Sequence, residues 1–285
     1  MTILVTGGNG QLGCSLRLAS AESKHRFVFT DIEDLDITSA EALTAFFEQE
    51  RVDVVVNCAA YTAVDLAEDD EAKADDINHK AVALLAEMCR RYGATLIHIS
   101  TDYVFSGDSD VPYNEECAPA PINAYGRTKL AGEKAVVESG CQYIILRTSW
   151  LYSEFGRNFF KTMQSLTATR SELKVVADQI GTPTYAGDLA AAITYIIDSE
   201  QLSKRGIYHF SNLGLCSWCD FATEIARQCG NLGCKVESCT TAEYPTRALR
   251  PKYSVLDKSK FISTFSFAIP EWKESLERCV QSLKS

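Results

Sequence analysis

Two patterns of apolar and polar positions alternate along this chain. Short, nearly continuous apolar runs recur at 3–6, 27–30, 52–57, 95–100, 143–147, 173–176 and 207–210, and each reads as a strand. Longer stretches whose apolar residues return every three to four positions lie between them, at 11–20, 39–50, 70–92, 123–139, 158–167 and 187–198, and read as helices. Strands this apolar belong in a parallel sheet covered on both faces, so the repeated βα order predicts an α/β, doubly wound parallel-sheet fold. The regularity fades beyond about residue 150. From 206 to 285 the chain is cysteine-rich and broken by Pro245, Pro251 and Pro270, which predicts a smaller C-terminal lobe against the carboxyl edge of the sheet.

The first strand passes into the first helix through Thr6-Gly7-Gly8-Asn9-Gly10-Gln11-Leu12-Gly13. Gly7 permits a tight turn, Gly10 lets backbone approach a pyrophosphate, and Gly13 lets the helix pack closely, with its N-terminus facing the anion. This is a dinucleotide-binding arrangement, and the fold is accordingly of Rossmann type. Asp31, at the end of the second strand, can accept a hydrogen bond from the adenosine ribose 2'-hydroxyl and should disfavour a 2'-phosphate, so NADH is expected to be usable. Asp36, before Ile37, is placed to touch the adenine. After the third strand, the small side chains of Ala59 and Ala60 in Asn57-Cys58-Ala59-Ala60-Tyr61-Thr62 leave room for ribose and diphosphate at the switch point.

Tyr125 and Lys129 stand four apart on the helix predicted over 123–139, so they share one face about a turn apart. An ammonium there can stabilise a phenolate whose ordinary pKa is about 10, bringing a weak acid into use near neutral pH. Thr101 ends the fourth strand at the carboxyl edge, where open α/β sheets place their ligands, and its hydroxyl can hold a substrate carbonyl. His98, inside the same apolar strand, reads as a core histidine.

The 285 residues are 46% hydrophobic, enough for a large α/β domain with a smaller partner. A formal net charge of -10 with no basic stripe argues against a nucleic-acid partner. Ile3-Leu4-Val5 follows Met1 too closely for a basic signal region, and no uncharged run would span a bilayer, so the expected location is cytoplasmic with no membrane contact. Most of the eleven cysteines sit in apolar stretches and read as small buried hydrophobes. Cys216 and Cys219 flank Ser217, a helix cap before Trp218, and are expected to point different ways rather than to share a zinc ion.

Thr6 to Gly13, Asn57 to Ala60, Ser100 to Phe105 and Tyr125 to Lys129 together resemble the extended short-chain dehydrogenase/reductase superfamily. Val104-Phe105-Ser106-Gly107, Arg147-Thr148-Ser149-Trp150-Leu151-Tyr152, Gly156-Arg157-Asn158-Phe159, Asp178 to Thr184 and Arg250-Pro251-Lys252-Tyr253-Ser254 narrow the resemblance to the dTDP-4-dehydrorhamnose reductases, over essentially the whole chain. The resemblance implies NADPH- or NADH-dependent reduction of the 4-keto group of dTDP-4-dehydro-L-rhamnose. It assigns residues 1–150 to an NAD(P)-binding Rossmann domain carrying the catalytic residues, and 151–285 mainly to a sugar-nucleotide lobe, with about 173–200 returning to the sheet.

The catalytic residues implied are Thr101, Tyr125 and Lys129. Cofactor contacts are expected at Gly7, Gly10, Gln11, Leu12 and Gly13, at Asp31, Asp36 and Ile37, at Ala59, Ala60, Tyr61 and Thr62, and at Tyr125 and Lys129. Val64, Thr101, Tyr103 and Trp150 would surround the deoxysugar, Trp150 offering it a flat face. Arg157, Asn158, Gln179 and Arg250 are expected to meet the diphosphate or base. Asn78 corresponds either to an asparagine supporting a proton relay in the superfamily or to a helix-surface residue. Arg147 is expected to pair structurally. Some family members carry a glutamate after the third glycine that helps bind magnesium between subunits; Cys14-Ser15 stands there in this chain, while Asp188 keeps an acid at a second such position. No magnesium requirement is expected, and the chain is expected to be a monomer or weak homodimer. Two other readings remain open: a binding-only subunit, as the methionine adenosyltransferase β subunit resembles this family, and an epimerase or another sugar-nucleotide reductase.

Overall fold

The computed structural model describes residues 1–283. Six parallel strands form the central sheet in the order Gly206–His209, Gln142–Thr148, Thr95–Thr101, Val54–Asn57, Thr2–Thr6, Arg26–Thr30. The chain starts at Thr2–Thr6, steps outward to Arg26–Thr30, and then crosses back to Val54–Asn57 on the other side. That reversal opens the crevice beyond the carboxyl ends of Thr2–Thr6 and Val54–Asn57.

Both faces of the sheet are covered, as its apolar strands require. Ile3, Val5, Val54 and Val56 face a core closed by Gln11–Ala19 and Ala186–Asp198, whereas Leu4, Val55 and Leu96 face Ala40–Gln49 and Ala81–Tyr92. Burying one such side chain stabilises the fold by roughly 1.5–3 kcal/mol, so the two-sided apolar pattern fixes the layering. Helix starts follow local chemistry. The side chain of Ser39 accepts from Ala42 N at 3.1 Å, that of Asn123 from Gly126 N at 2.8 Å, and Ser217 forms a reciprocal capping box with Asp220.

Two features differ from the expected layout. The helix expected over 70–92 is helical throughout but passes from Glu71–Asp75 through a π-turn at Asp76–Lys80 into Ala81–Tyr92. The wider turn carries Asn78 fully inside, where Oδ1 accepts from Tyr61 N and Nδ2 donates to Tyr61 O and Thr128 Oγ1. Asn78 is thus no surface residue. The strand at Glu172–Val176 does not return to the main sheet; it pairs in parallel with Lys235–Cys239 in the lobe, because that later strand supplies the matching edge. From about 173–200 it is the Ala186–Asp198 helix that returns to the sheet face, followed by the Gly206–His209 strand on the edge.

The lobe has its own apolar core around Tyr152, Phe160, Phe221, Trp272 and Leu276. Cys216, Cys234 and Cys279 are buried in it, and Cys89 is buried under the main sheet. No helix among the described residues is long and apolar enough to cross a membrane.

Candidate active site

Thr101, Tyr125 and Lys129 line one cleft of about 570 Å³ at the carboxyl edge of the sheet. Thr101 is placed by the end of the Thr95–Thr101 strand, and the other two by the first turns of the Ala124–Ser139 helix. Two glycines let that helix come close. A Cβ on Gly126 would collide with the Tyr103 carbonyl oxygen, and one on Gly132 with that of Asn78.

The electrostatics differ from the simple tyrosine-lysine picture. Burial pushes the Tyr125 phenol up to about 12, with Asp102 adding to the rise and a hydrogen bond with Thr101 partly offsetting it. Burial likewise pulls Lys129 down to about 8, and its Nζ donates to the Ile99 carbonyl oxygen at 2.6 Å. The ammonium is therefore held by the strand, and the phenol stays protonated at neutral pH. Such a phenol is an acid suited to a strongly basic alkoxide. The Tyr103 ring meets the Tyr125 ring edge-on, with centroids 5.7 Å apart.

A second compartment of about 460 Å³ adjoins the first and shares Gly10, Cys58 and Ala60 with it. Gly7, Asp31, Asp36, Ile37 and Ala59 line this second compartment, while Gln11, Leu12, Thr62 and Val64 line the first. Gly7 has φ +65, and a Cβ on it would stand 2.7 Å from Ala59 N. Gly13 presses on the loop itself, where a Cβ would collide with the Gly7 carbonyl oxygen. Gly10 by contrast meets only the Gly7 carbonyl, at 3.2 Å, so its outer side is open for a ligand's approach. Asp31 accepts from Asn9 N and Ile32 N, both at 2.9 Å, which fixes its carboxylate at the loop. Asp36 accepts from the backbone and hydroxyl of Thr38, and these bonds hold its carboxyl below the usual range. Tyr61 lines neither compartment; its backbone is clamped by Asn78. An open glycine, small Ala59 and Ala60, and an acid at the far end fit an elongated dinucleotide.

Against this geometry, the model of the RmlD substrate binding domain matches residues 1–285. The chain belongs to that family. It is similar to a dTDP-4-dehydrorhamnose reductase of Sinorhizobium fredii, with 40% identity covering 99% of this chain and 98% of the relative. Among solved structures, a dTDP-4-dehydrorhamnose reductase of Clostridium acetobutylicum superposes with a TM-score of 0.95 at 44% identity, covering 100% of both chains. One from Bacillus anthracis, in complex with NADP, superposes with a TM-score of 0.94 at 41% identity, covering 99% of both.

Within this member of the RmlD substrate binding domain family, the expected substrate residues fall into two groups. Val64, Tyr103, Trp150 and Arg157 line the cleft with Thr101, and Arg157 is exposed there with no protein partner among the described residues. The remainder are committed to the protein. Asn158 also lines the cleft, but it caps the Phe159–Thr169 helix and its Nδ2 donates to Gln11 Oε1, Ser153 O and Phe155 O. Gln179 lies outside the cleft wall and donates to Thr241 Oγ1 at 3.1 Å. Arg250 makes a two-pronged pair with Asp65 at 3.1 and 2.7 Å and also hydrogen-bonds Tyr103.

Trp150 presents less free surface than expected, because one face is stacked on Trp218 with centroids 3.5 Å apart. Trp218 also lines the cleft, and sequence reasoning used it only as the start of a helix. Asp102 also lines the cleft, and in the sequence nothing but its place next to Thr101 points to it. Only its burial, at 2% exposure, distinguishes it from an ordinary acid at a strand end. Arg147 is buried against Glu133 at 2.6 and 2.9 Å, and His98 is fully buried beside Asn57. Asp188 receives bonds from Asn212, Ser275 and Arg278, which tie the last helix to the first turn of the Ala186–Asp198 helix. No group of three or more potential metal-ligating side chains occurs among the described residues.

Proposed function

We infer that this chain is an NAD(P)H-dependent dTDP-4-dehydrorhamnose reductase, converting dTDP-4-dehydro-L-rhamnose to dTDP-L-rhamnose. The observation that carries the reading is the gathering of Thr101, Tyr125 and Lys129 in a cleft that opens into the glycine-loop compartment. When bound, the nicotinamide cofactor supplies the hydride.

In this reading Tyr125 gives its proton to the oxygen that becomes the alcohol. Its raised pKa keeps that proton in place until a stronger base, the nascent alkoxide, appears. Thr101 orients the phenol and the keto oxygen, and Lys129, anchored on Ile99, holds the nicotinamide ribose. Gly7, Gly10, Gln11, Leu12, Gly13, Asp31, Asp36, Ile37, Ala59, Ala60 and Thr62 form the cofactor trough, with Asp31 at the adenosine ribose. The sugar nucleotide lies against Val64, Tyr103 and Trp150. Arg157, which has no protein partner among the described residues, meets the diphosphate, whereas Asn158 is spent on the cleft wall and Gln179 and Arg250 support the structure outside it. A cytoplasmic monomer or weak homodimer without a magnesium requirement completes the reading.

The test is a coupled assay following NADH and NADPH oxidation with dTDP-4-dehydrorhamnose generated in place. Wild type should turn over, and Tyr125→Phe should be slower by about 10²–10⁴ while binding cofactor normally. Equal rates in the two proteins would remove Tyr125 as the donor.

A further inference from the structure

We propose that Asp102 is the proton reservoir for this reduction, recharging Tyr125 through the hydroxyl of Thr101. The inference rests on the reductase reading and extends it to a carboxyl beside the expected trio. Asp102 lines the same cleft and is almost wholly buried. Its Oδ1 accepts from the Thr101 hydroxyl at 3.0 Å. Its Oδ2 is buried without a well-formed hydrogen bond, although the Ser254 hydroxyl is near enough to favour the charged form.

No cation pairs with this carboxyl among the described residues. The titratable groups that face it are Tyr103 on its own turn and Tyr125 on the following helix, both of which its charge would oppose. Ser254 approaches from the C-terminal segment, where Arg250 is spent on Asp65 and Tyr103. A carboxylate so placed is poorly compensated, and burial pushes the group up to about 7. Near neutral pH a substantial share of the protein therefore carries an acidic proton there.

The hydroxyl of Thr101 connects this proton to the reaction, because it bonds both Asp102 and Tyr125. As hydride reaches the keto carbon, the carbonyl π pair moves to oxygen, the ketone is reduced and the nicotinamide is oxidised. The Tyr125 O–H bond breaks while the new alcohol O–H forms. In the same step Thr101 passes its hydroxyl proton to the phenolate oxygen while protonated Asp102 donates to Thr101, the reverse of the Thr101-to-Asp102 bond of the charged form, so the negative charge ends on the carboxylate. The net transfer runs from the stronger acid to the stronger base, from about 7 at Asp102 to about 12 at Tyr125, and because the shifts are concerted no free threonine alkoxide forms. Asp102 regains its proton from water once product leaves the cleft.

Asp102→Asn tests this, because the amide keeps an acceptor for Thr101 but has no acidic proton. Wild-type single-turnover rates should decline in a first step as pH rises through about 7, where Asp102 loses its proton. In the variant the first step should vanish and the rate below it should drop by about tenfold to a hundredfold, with cofactor affinity kept within about twofold. A second readout needs neither substrate nor cofactor. The wild-type infrared spectrum should show a protonated-carboxyl band that titrates near pH 7 and is missing from Asp102→Asn. A variant that retains the first step, or a wild type without the band, overturns the proposal; the band alone decides if the variant does not fold. Wild type that fails to turn over dTDP-4-dehydrorhamnose would overturn the reductase reading itself.

Discussion

Lys129 donates to the carbonyl oxygen of Ile99 at 2.6 Å, so the lysine of the tyrosine-lysine pair is anchored to the neighbouring strand. One ammonium proton fixes its position and the others remain for a ribose. Lys129→Met should lower the rate by about 10²–10⁴ and weaken cofactor binding by about tenfold. Steady-state kinetics and a fluorescence titration of NADH would check both; an unchanged Kd would detach Lys129 from the ribose.

Two glycines separate strain from function. At Gly13 a Cβ would strike the glycine loop, whereas at Gly93, with φ +73, nothing lies within 4 Å. Gly13→Ala should displace the loop and abolish measurable cofactor binding. Gly93→Ala should cost about 1–2 kcal/mol of stability and leave cofactor binding intact. Urea unfolding paired with NADH titration distinguishes the two, and normal binding by Gly13→Ala would show that the loop does not need its present shape.

Asp31 is held at the glycine loop by two backbone donors. If it takes the adenosine ribose hydroxyl, Asp31→Asn should move the ratio of kcat/KM for NADH over NADPH towards NADPH by about tenfold. A ratio equal to that of wild type would place the ribose elsewhere.

Acid should weaken the fold through its two buried imidazoles. Burial holds His98 well below its ordinary 6.5 and His209 at about 3, so protons bind the unfolded chain first as pH falls. The stability these groups contribute is complete above pH 6.5 and is lost as pH drops towards 3. Unfolding midpoints measured across that window should fall steeply for wild type and less steeply for His209→Gln. Parallel curves would mean that His209 is already charged in the folded protein.

The layered parallel architecture, the glycine loop and the shared face of Tyr125 and Lys129 are all legible along the chain. These are consequences of spacing: strand and helix periods, turn residues and an i, i+4 interval act over a few residues and leave a readable pattern. The C-terminal lobe was legible as a region but not in its pairing, because Glu172–Val176 could find its partner Lys235–Cys239 only across some sixty intervening residues.

How the polar groups are spent depends on contacts between segments far apart in the chain. Asn158 and Gln179 look available for a ligand in the sequence, yet each has its amide committed to other side chains. Trp218 meets Trp150 only when the lobe folds over the sheet edge. Asp102 differs from the chain's other aspartates in what surrounds it, since desolvation by distant segments moves its pKa, and no local pattern records which segments will close over a side chain.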